Sequence, residues 1–140
     1  MMTITRSLHF DAAHRVVDHE SKCKYLHGHR YVVEASFTAS ALDTLGRIID
    51  FGVIKSRLGD WIDTHWDHTT ILWEKDDALG QGIGTLTGQK VFYLPNNPTV
   101  ENLASYLLET VCSTLFSDTE VTCTHIRMYE TPNCYVDVGL

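Results

Sequence analysis

No apolar run in this 140-residue chain exceeds a few residues, far short of the roughly 20 that a bilayer-spanning helix needs. The opening Met-Met-Thr-Ile-Thr-Arg lacks the apolar core of a secretion signal, so a cytoplasmic protein is expected. Cysteines are few and scattered (Cys23, Cys112, Cys123, Cys134) with no CxxC pair, a distribution that fits free thiols better than a disulfide framework. Basic residues are scarce, 11 against 18 acidic ones, for a formal charge of −7. That balance argues against nucleic acid or an anionic membrane as a partner, because both are bound by neutralising phosphates. With 44% hydrophobic and 21% charged residues, the chain is neither disordered nor fibrous. Its length suits a single domain over 1–140. No GxSxG elbow, phosphate loop, HExxH helix or EF-hand loop is present. What is plentiful is histidine, with eight residues.

Residues 3–13 alternate as a strand, with Ile4, Leu8, Phe10 and Ala12 on one parity and His14 continuing it. Residues 15–26 are polar and read as a loop. Residues 27–39 alternate again, with Tyr31, Val33, Ala35, Phe37 and Ala39 on the apolar side, joined there by His27 and His29. Asp50 is a helix N-cap, and Ile54, Leu58, Trp61, Ile62 and His65 recur at helical spacing over 51–65. Residues 74–90 hold Gly80, Gly82, Gly84 and Gly88 and read as a mobile loop insertion. Asn97 or Thr99 caps a second helix, whose stripe runs from Val100 to Leu115. Strands follow over 119–130 and Tyr135–Val138. The parity of the former groups Val121, Cys123, His125, Arg127 and Tyr129 against Ile126, Met128 and Glu130. The order β-β-α-α-β-β predicts an α+β domain, an antiparallel sheet with two helices on one face.

His27-Gly28-His29 is the strongest chemical signal. Two imidazoles two residues apart on one strand face can share a metal ion, and His14 can complete a three-ligand set if the first two strands pair. An all-imidazole set suits Zn²⁺ better than Mg²⁺ or Ca²⁺ and leaves a coordination position open. The alternative for each histidine taken singly is an ordinary core or surface residue. Cys23, four residues before His27, is either a fourth ligand of a closed structural site or a reactive thiolate beside the metal. Asp67-His68 is either a carboxylate-oriented acid–base pair or polar surface. Glu130 shares a parity with Ile126 and Met128, so it needs either a basic partner or the N–H donors of a ligand.

These residues stand in order with Phe10-Asp11-Ala12-Ala13-His14, Cys23-Lys-Tyr-Leu-His27-Gly28-His29-Arg30-Tyr31, Ile49-Asp50-Phe51, Asp67-His68, Pro98-Thr99-Val100-Glu101-Asn102 and Tyr129-Glu130-Thr131. Taken together they resemble the 6-pyruvoyl-tetrahydropterin synthase / 6-carboxy-tetrahydropterin synthase family. The resemblance implies a tunnelling fold (T-fold) assembled into rings, commonly homohexamers, with active sites between neighbours. It implies His14, His27 and His29 as zinc ligands, Cys23 as general base, Asp67 and His68 as its relay, and Glu130 as the anchor of the pterin. Thr99 and Glu101 are the further substrate-binding residues it suggests. The three-residue spacing from Cys23 to His27 resembles the carboxy branch of queuosine and 7-deazapurine biosynthesis. The implied reaction is the conversion of 7,8-dihydroneopterin triphosphate to 6-carboxy-5,6,7,8-tetrahydropterin, acetaldehyde and triphosphate. A 6-pyruvoyl product and a non-catalytic zinc module are the competing expectations. Lys22, Lys24, Arg15 and Arg30 are candidate cations for the triphosphate.

Overall fold

The computed structural model describes residues 1–140 in full. Strands β1 (Ile4–His14) and β2 (His27–Ala39) pair antiparallel along their whole length, Ile4 opposite Phe37 and His14 opposite His27. A long helix over 51–65 follows, capped by the Asp50 carboxylate, which accepts from Gly52 N–H at 2.8 Å. A second long helix occupies 100–115, its first turn capped by Thr99, and leads to β5 (Val121–Thr131) and β6 (Cys134–Gly139). Both long helices pack on one face of the sheet. Phe10, Tyr31, Val33, Phe37, Ile126 and Met128 meet Ile54, Leu58, Ile62 and Trp66 from the first helix and Leu103, Leu107 and Val111 from the last. The antiparallel β1-β2-β5-β6 core with its two helices is the arrangement expected from the sequence.

The segment 74–90 departs from expectation. Residues 74–76 form a 3-10 turn and Asp77–Thr87 form a helix, closed by Gly88 in the left-handed conformation (φ 73°). This helix connects two short strands, β3 (Thr69–Trp73) and β4 (Val91–Leu94), which pair parallel to each other, while β3 lies parallel to the end of β1. A parallel pair needs a crossover connection, and the glycine-rich helix supplies it. The six strands therefore form one mixed sheet in the order β4-β3-β1-β2-β5-β6. The helix tolerates its glycines because it packs closely on β4. A side chain at Gly80 would collide with the Tyr93 hydroxyl, so only glycine lets the two elements approach.

A β-bulge corrects the second expectation. Ser36 faces His125 but Phe37 faces Cys123, so Thr124 is an extra residue in β5. The surplus residue switches the parity, and Val121 and Cys123 are buried on the same face as Ile126 and Met128. A second irregularity lies at Glu130, between the pairs Tyr129–Tyr135 and Thr131–Cys134.

Candidate active site

The register of β1 with β2 places His14 directly across from His27 and one step from His29, all on the helix-covered face. Their metal-capable atoms lie within 4.8 Å of one another. His14 Nδ1 lies 2.7 Å from the Pro98 carbonyl, and His27 Nδ1 lies 2.6 Å from the Tyr25 carbonyl. A carbonyl only accepts, so in both rings Nδ1 carries the proton and Nε2 presents its lone pair, the arrangement that orients metal-binding imidazoles. The Nε2 atoms of His14 and His29 are buried and have no hydrogen-bond partner. Burial, with the neighbouring His27 and His29 adding to it against the Pro98 hydrogen bond, depresses the His14 pKa to about 4. His29 is likewise lowered, by burial first and then by His27, against the attraction of Glu130. Neutral imidazoles with orphaned, converging lone pairs are what a Zn²⁺ ion requires of its ligands, so these residues fit the ion.

Cys23 sits in a short 3-10 turn (Lys22–Lys24) of the 15–26 loop. It lines a depression with Lys22, Tyr25 and His27, one of the three clustered imidazoles. It is not one of the clustered donors; the three histidines alone form that group. Glu130, the irregular residue of β5, directs its carboxylate inward to 3.9 Å from both His14 Nε2 and His29 Nε2. It also lines a groove of about 590 Å³ with Gly28, Arg30, Tyr129 and Thr131. Tyr31 lies beneath the cluster, stacked on Phe10 with ring centroids 4.8 Å apart, and its buried hydroxyl has no partner. Burial, reinforced by the charges of Glu130 and Cys23, pushes that phenol well above its usual range.

Asp67 and His68 stand elsewhere, at the edge of the sheet. Asp67 Oδ1 accepts from Asp11 N–H at 2.9 Å, and the His68 N–H donates to the Asp11 carbonyl at 2.6 Å. The His68 ring bonds the other Asp67 oxygen at 2.8 Å and is largely exposed, in a left-handed backbone conformation (φ 57°). The Asp67 hydrogen bond and charge raise the His68 pKa. Burial works to raise that of Asp67, but the Asp11 N–H and His68 outweigh it and the net shift is downward. His68 opens onto a shallow depression that it shares with Asp11, Ala13, Gly28, Arg30 and His29 of the cluster. Asp11, Ala13, Gly28 and Arg30 have the parity opposite to the three histidines, while His29 borders the depression from the cluster side. Asp67 and His68 bond Asp11 and each other, and neither forms a hydrogen bond or ion pair with His14, His27, His29 or Cys23.

Thr99 spends its hydroxyl acceptor on Asn102 N–H at 3.2 Å, and Glu101 is exposed in the first turn of the helix. Thr99 directly follows Pro98, whose carbonyl bonds His14. Of the candidate cations, Arg15 is held by Asp76 through two hydrogen bonds and Arg30 by Asp11. Lys22 and Lys24 are exposed beside Cys23 and form no ion pair. Sequence reasoning missed the carbonyls of Pro98 and Tyr25 and the side chain of Asn97. A backbone acceptor leaves no mark on composition, although the run Pro95-Asn96-Asn97-Pro98 signalled an unusual turn.

A sequence profile of the family described as 6-pyruvoyl tetrahydropterin synthase matches residues 3–139. A Rickettsia conorii protein named 6-carboxy-5,6,7,8-tetrahydropterin synthase is 46% identical over 138 residues, covering 99% of this chain and 100% of that one. A Haemophilus influenzae protein of the same name is 28% identical over 98% of both chains. Among solved structures, an uncharacterized protein from Wolinella succinogenes superposes with a TM-score of 0.79 at 21% identity, over 99% of this chain and 97% of that one. The Caenorhabditis elegans 6-pyruvoyl tetrahydropterin synthase superposes with a TM-score of 0.67 at 23% identity, over 99% and 95% of the two chains.

Proposed function

The chain belongs to the 6-pyruvoyl tetrahydropterin synthase family, and from that premise we propose a specific activity for it. It is a zinc-dependent lyase that converts 7,8-dihydroneopterin triphosphate to 6-carboxy-5,6,7,8-tetrahydropterin, acetaldehyde and triphosphate, a cytoplasmic step of queuosine and 7-deazapurine biosynthesis. The observation that carries this reading is the cluster of three imidazoles with converging ring nitrogens, with Cys23 next to His27 but outside the ligand group. The name shared by near full-length relatives supports the carboxy product.

When bound by His14, His27 and His29, Zn²⁺ supplies Lewis-acid stabilisation of negative charge on the side-chain oxygens of the substrate. Cys23, as thiolate, removes a proton from the adjacent carbon, and His68 returns one, held in its orientation by Asp67. Glu130 accepts the ring N–H groups of the pterin, which fixes the side chain rather than the ring toward the cluster. Thr99 and Glu101 border the substrate, and the free ammonium groups of Lys22 and Lys24 attract its triphosphate.

Two features support a homo-oligomer, a hexamer by family resemblance, with active sites between copies. β3 pairs with β1 only at Ala12–His14, so residues 4–10 of β1 leave an open edge, and β6 is an edge strand at the far side of the sheet. Open edges accept further strands. His68 lies at the first of these edges, where it is placed to serve the cluster of a neighbour.

The deciding experiment incubates the zinc-loaded protein with 7,8-dihydroneopterin triphosphate and identifies the product by mass. The 6-carboxy product is expected; a 6-pyruvoyl product, or none, overturns the proposal. Cys23→Ala should keep its zinc and lose turnover. If zinc is lost instead, Cys23 is a fourth structural ligand.

A further inference from the structure

The loop over 15–26 carries Cys23, yet none of its residues is buried. Hydrogen bonds therefore carry much of its placement. Val16 N–H donates to the Cys23 carbonyl at 2.8 Å, tying the two limbs of the loop together. The next residue, Val17, is gripped at both backbone groups by one side chain. Asn97 Oδ1 accepts from Val17 N–H at 2.9 Å, and Asn97 Nδ2 donates to the Val17 carbonyl at 2.9 Å. A primary amide offers a donor and an acceptor in one plane, so it pairs with the N–H and C=O of one residue as the facing residue of an antiparallel strand would. Arg15, bound to Asp76, is the other tether.

Asn97 is itself immobilised. Its carbonyl accepts from Thr99 N–H at 2.8 Å and from Asn102 Nδ2 at 2.9 Å, at the start of the last long helix. Its neighbour Pro98 is buried and presents the carbonyl that orients His14. One turn of chain thus holds the thiol loop through the Asn97 side chain and a cluster imidazole through the Pro98 backbone.

We infer that Asn97 is a positioning residue for the proposed reaction: its amide clamps the 15–26 loop so that Cys23 stands beside the His14–His27–His29 cluster. This rests on the proposed role of Cys23. Asn97 touches no reacting atom and acts through the loop alone.

The test uses the zinc-loaded full chain in a Cys134→Ser background, which removes the exposed thiol and leaves Cys23 the one accessible cysteine, since Cys112 and Cys123 are buried. Asn97→Ala should retain zinc and lose about 100-fold in kcat with KM changed by less than about 3-fold, as expected of a misplaced catalytic group. At fixed pH, alkylation of Cys23 by iodoacetamide should accelerate by about 5-fold or more as the loop opens. Asn97→Asp, which keeps the acceptor for Val17 N–H but turns a charged carboxylate oxygen toward the Val17 carbonyl, should move both readouts in the same direction; it decides the matter if Asn97→Ala does not fold. Asn96→Ala, at an exposed neighbour, should change neither. Unaltered alkylation and kcat in the Asn97 variants, or loss of zinc from both, overturns the inference. Alkylation does not depend on turnover. A fully active Cys23→Ala protein would therefore remove the proposed reaction while the clamp could still be read from the labelling rate.

Discussion

At the scale of single residues, the cluster works by leaving lone pairs without partners. His14 is only 1% exposed, and its ring proton is taken by the Pro98 carbonyl. His14→Ala and His29→Ala should each reduce bound zinc from one per chain to below about a tenth of that at micromolar metal, measured by elemental analysis, since two imidazoles make a poor zinc site. The Asp67–His68 pair makes a pH prediction. A raised histidine pKa stabilises the fold fully below its ordinary value of 6.5, and that contribution is lost as pH rises through the raised value. A lowered aspartate pKa contributes above its ordinary value of 3.8 and is lost as pH falls through the lowered one. Asp67→Asn should therefore bring the His68 titration, followed by NMR, down toward 6.5. An unmoved midpoint would mean that Asp67 does not orient the ring. The histidines were legible in the sequence because spacing of two on a strand has a fixed geometric meaning. Their backbone partners were not, because every residue carries the same carbonyl.

At the scale of elements, the glycine-rich helix shows how a propensity signal can mislead. Glycine in a helix interior costs about 1 kcal/mol relative to alanine, and a segment with Gly80, Gly82 and Gly84 reads as loop. Tertiary packing overrides this where Gly80 admits Tyr93. A side chain at Gly82 would meet nothing within 4 Å, so Gly82→Ala should raise stability by about 0.5–1 kcal/mol in chemical denaturation. Gly88, with its positive φ of 73°, should respond oppositely, Gly88→Ala lowering stability by about 1 kcal/mol. Equal effects at the two sites would refute the capping argument. The two long helices were legible because their apolar stripes coincide with buried contacts. The bulge at Thr124 was not, because a residue inserted in one strand is visible only against its partner.

At the scale of the whole molecule, one chain carries the histidine cluster on the helix-covered face and His68 bonded to Asp11 and Asp67, with no hydrogen bond from His68 to the cluster. If neighbouring copies complete each site, two inactive proteins should rescue one another. Cys23→Ala and His68→Ala chains, mixed one to one and reassembled at random, should recover about a quarter of wild-type activity, the fraction of interfaces that pair two intact contributions. No recovery would place all the chemistry within a single chain. Native mass spectrometry should show a particle near six times 15.9 kDa. The four long strands and two long helices were legible from sequence, whereas the short parallel strands β3 and β4 and the helix between them were not, because a parallel pair joined by a crossover is visible only in the assembled sheet. The bulge at Thr124 makes β5 a phase counter. Adding one residue between Thr124 and Glu130 would turn the carboxylate to the opposite face while leaving every side chain in the sequence, so β5 can change length there only by even steps.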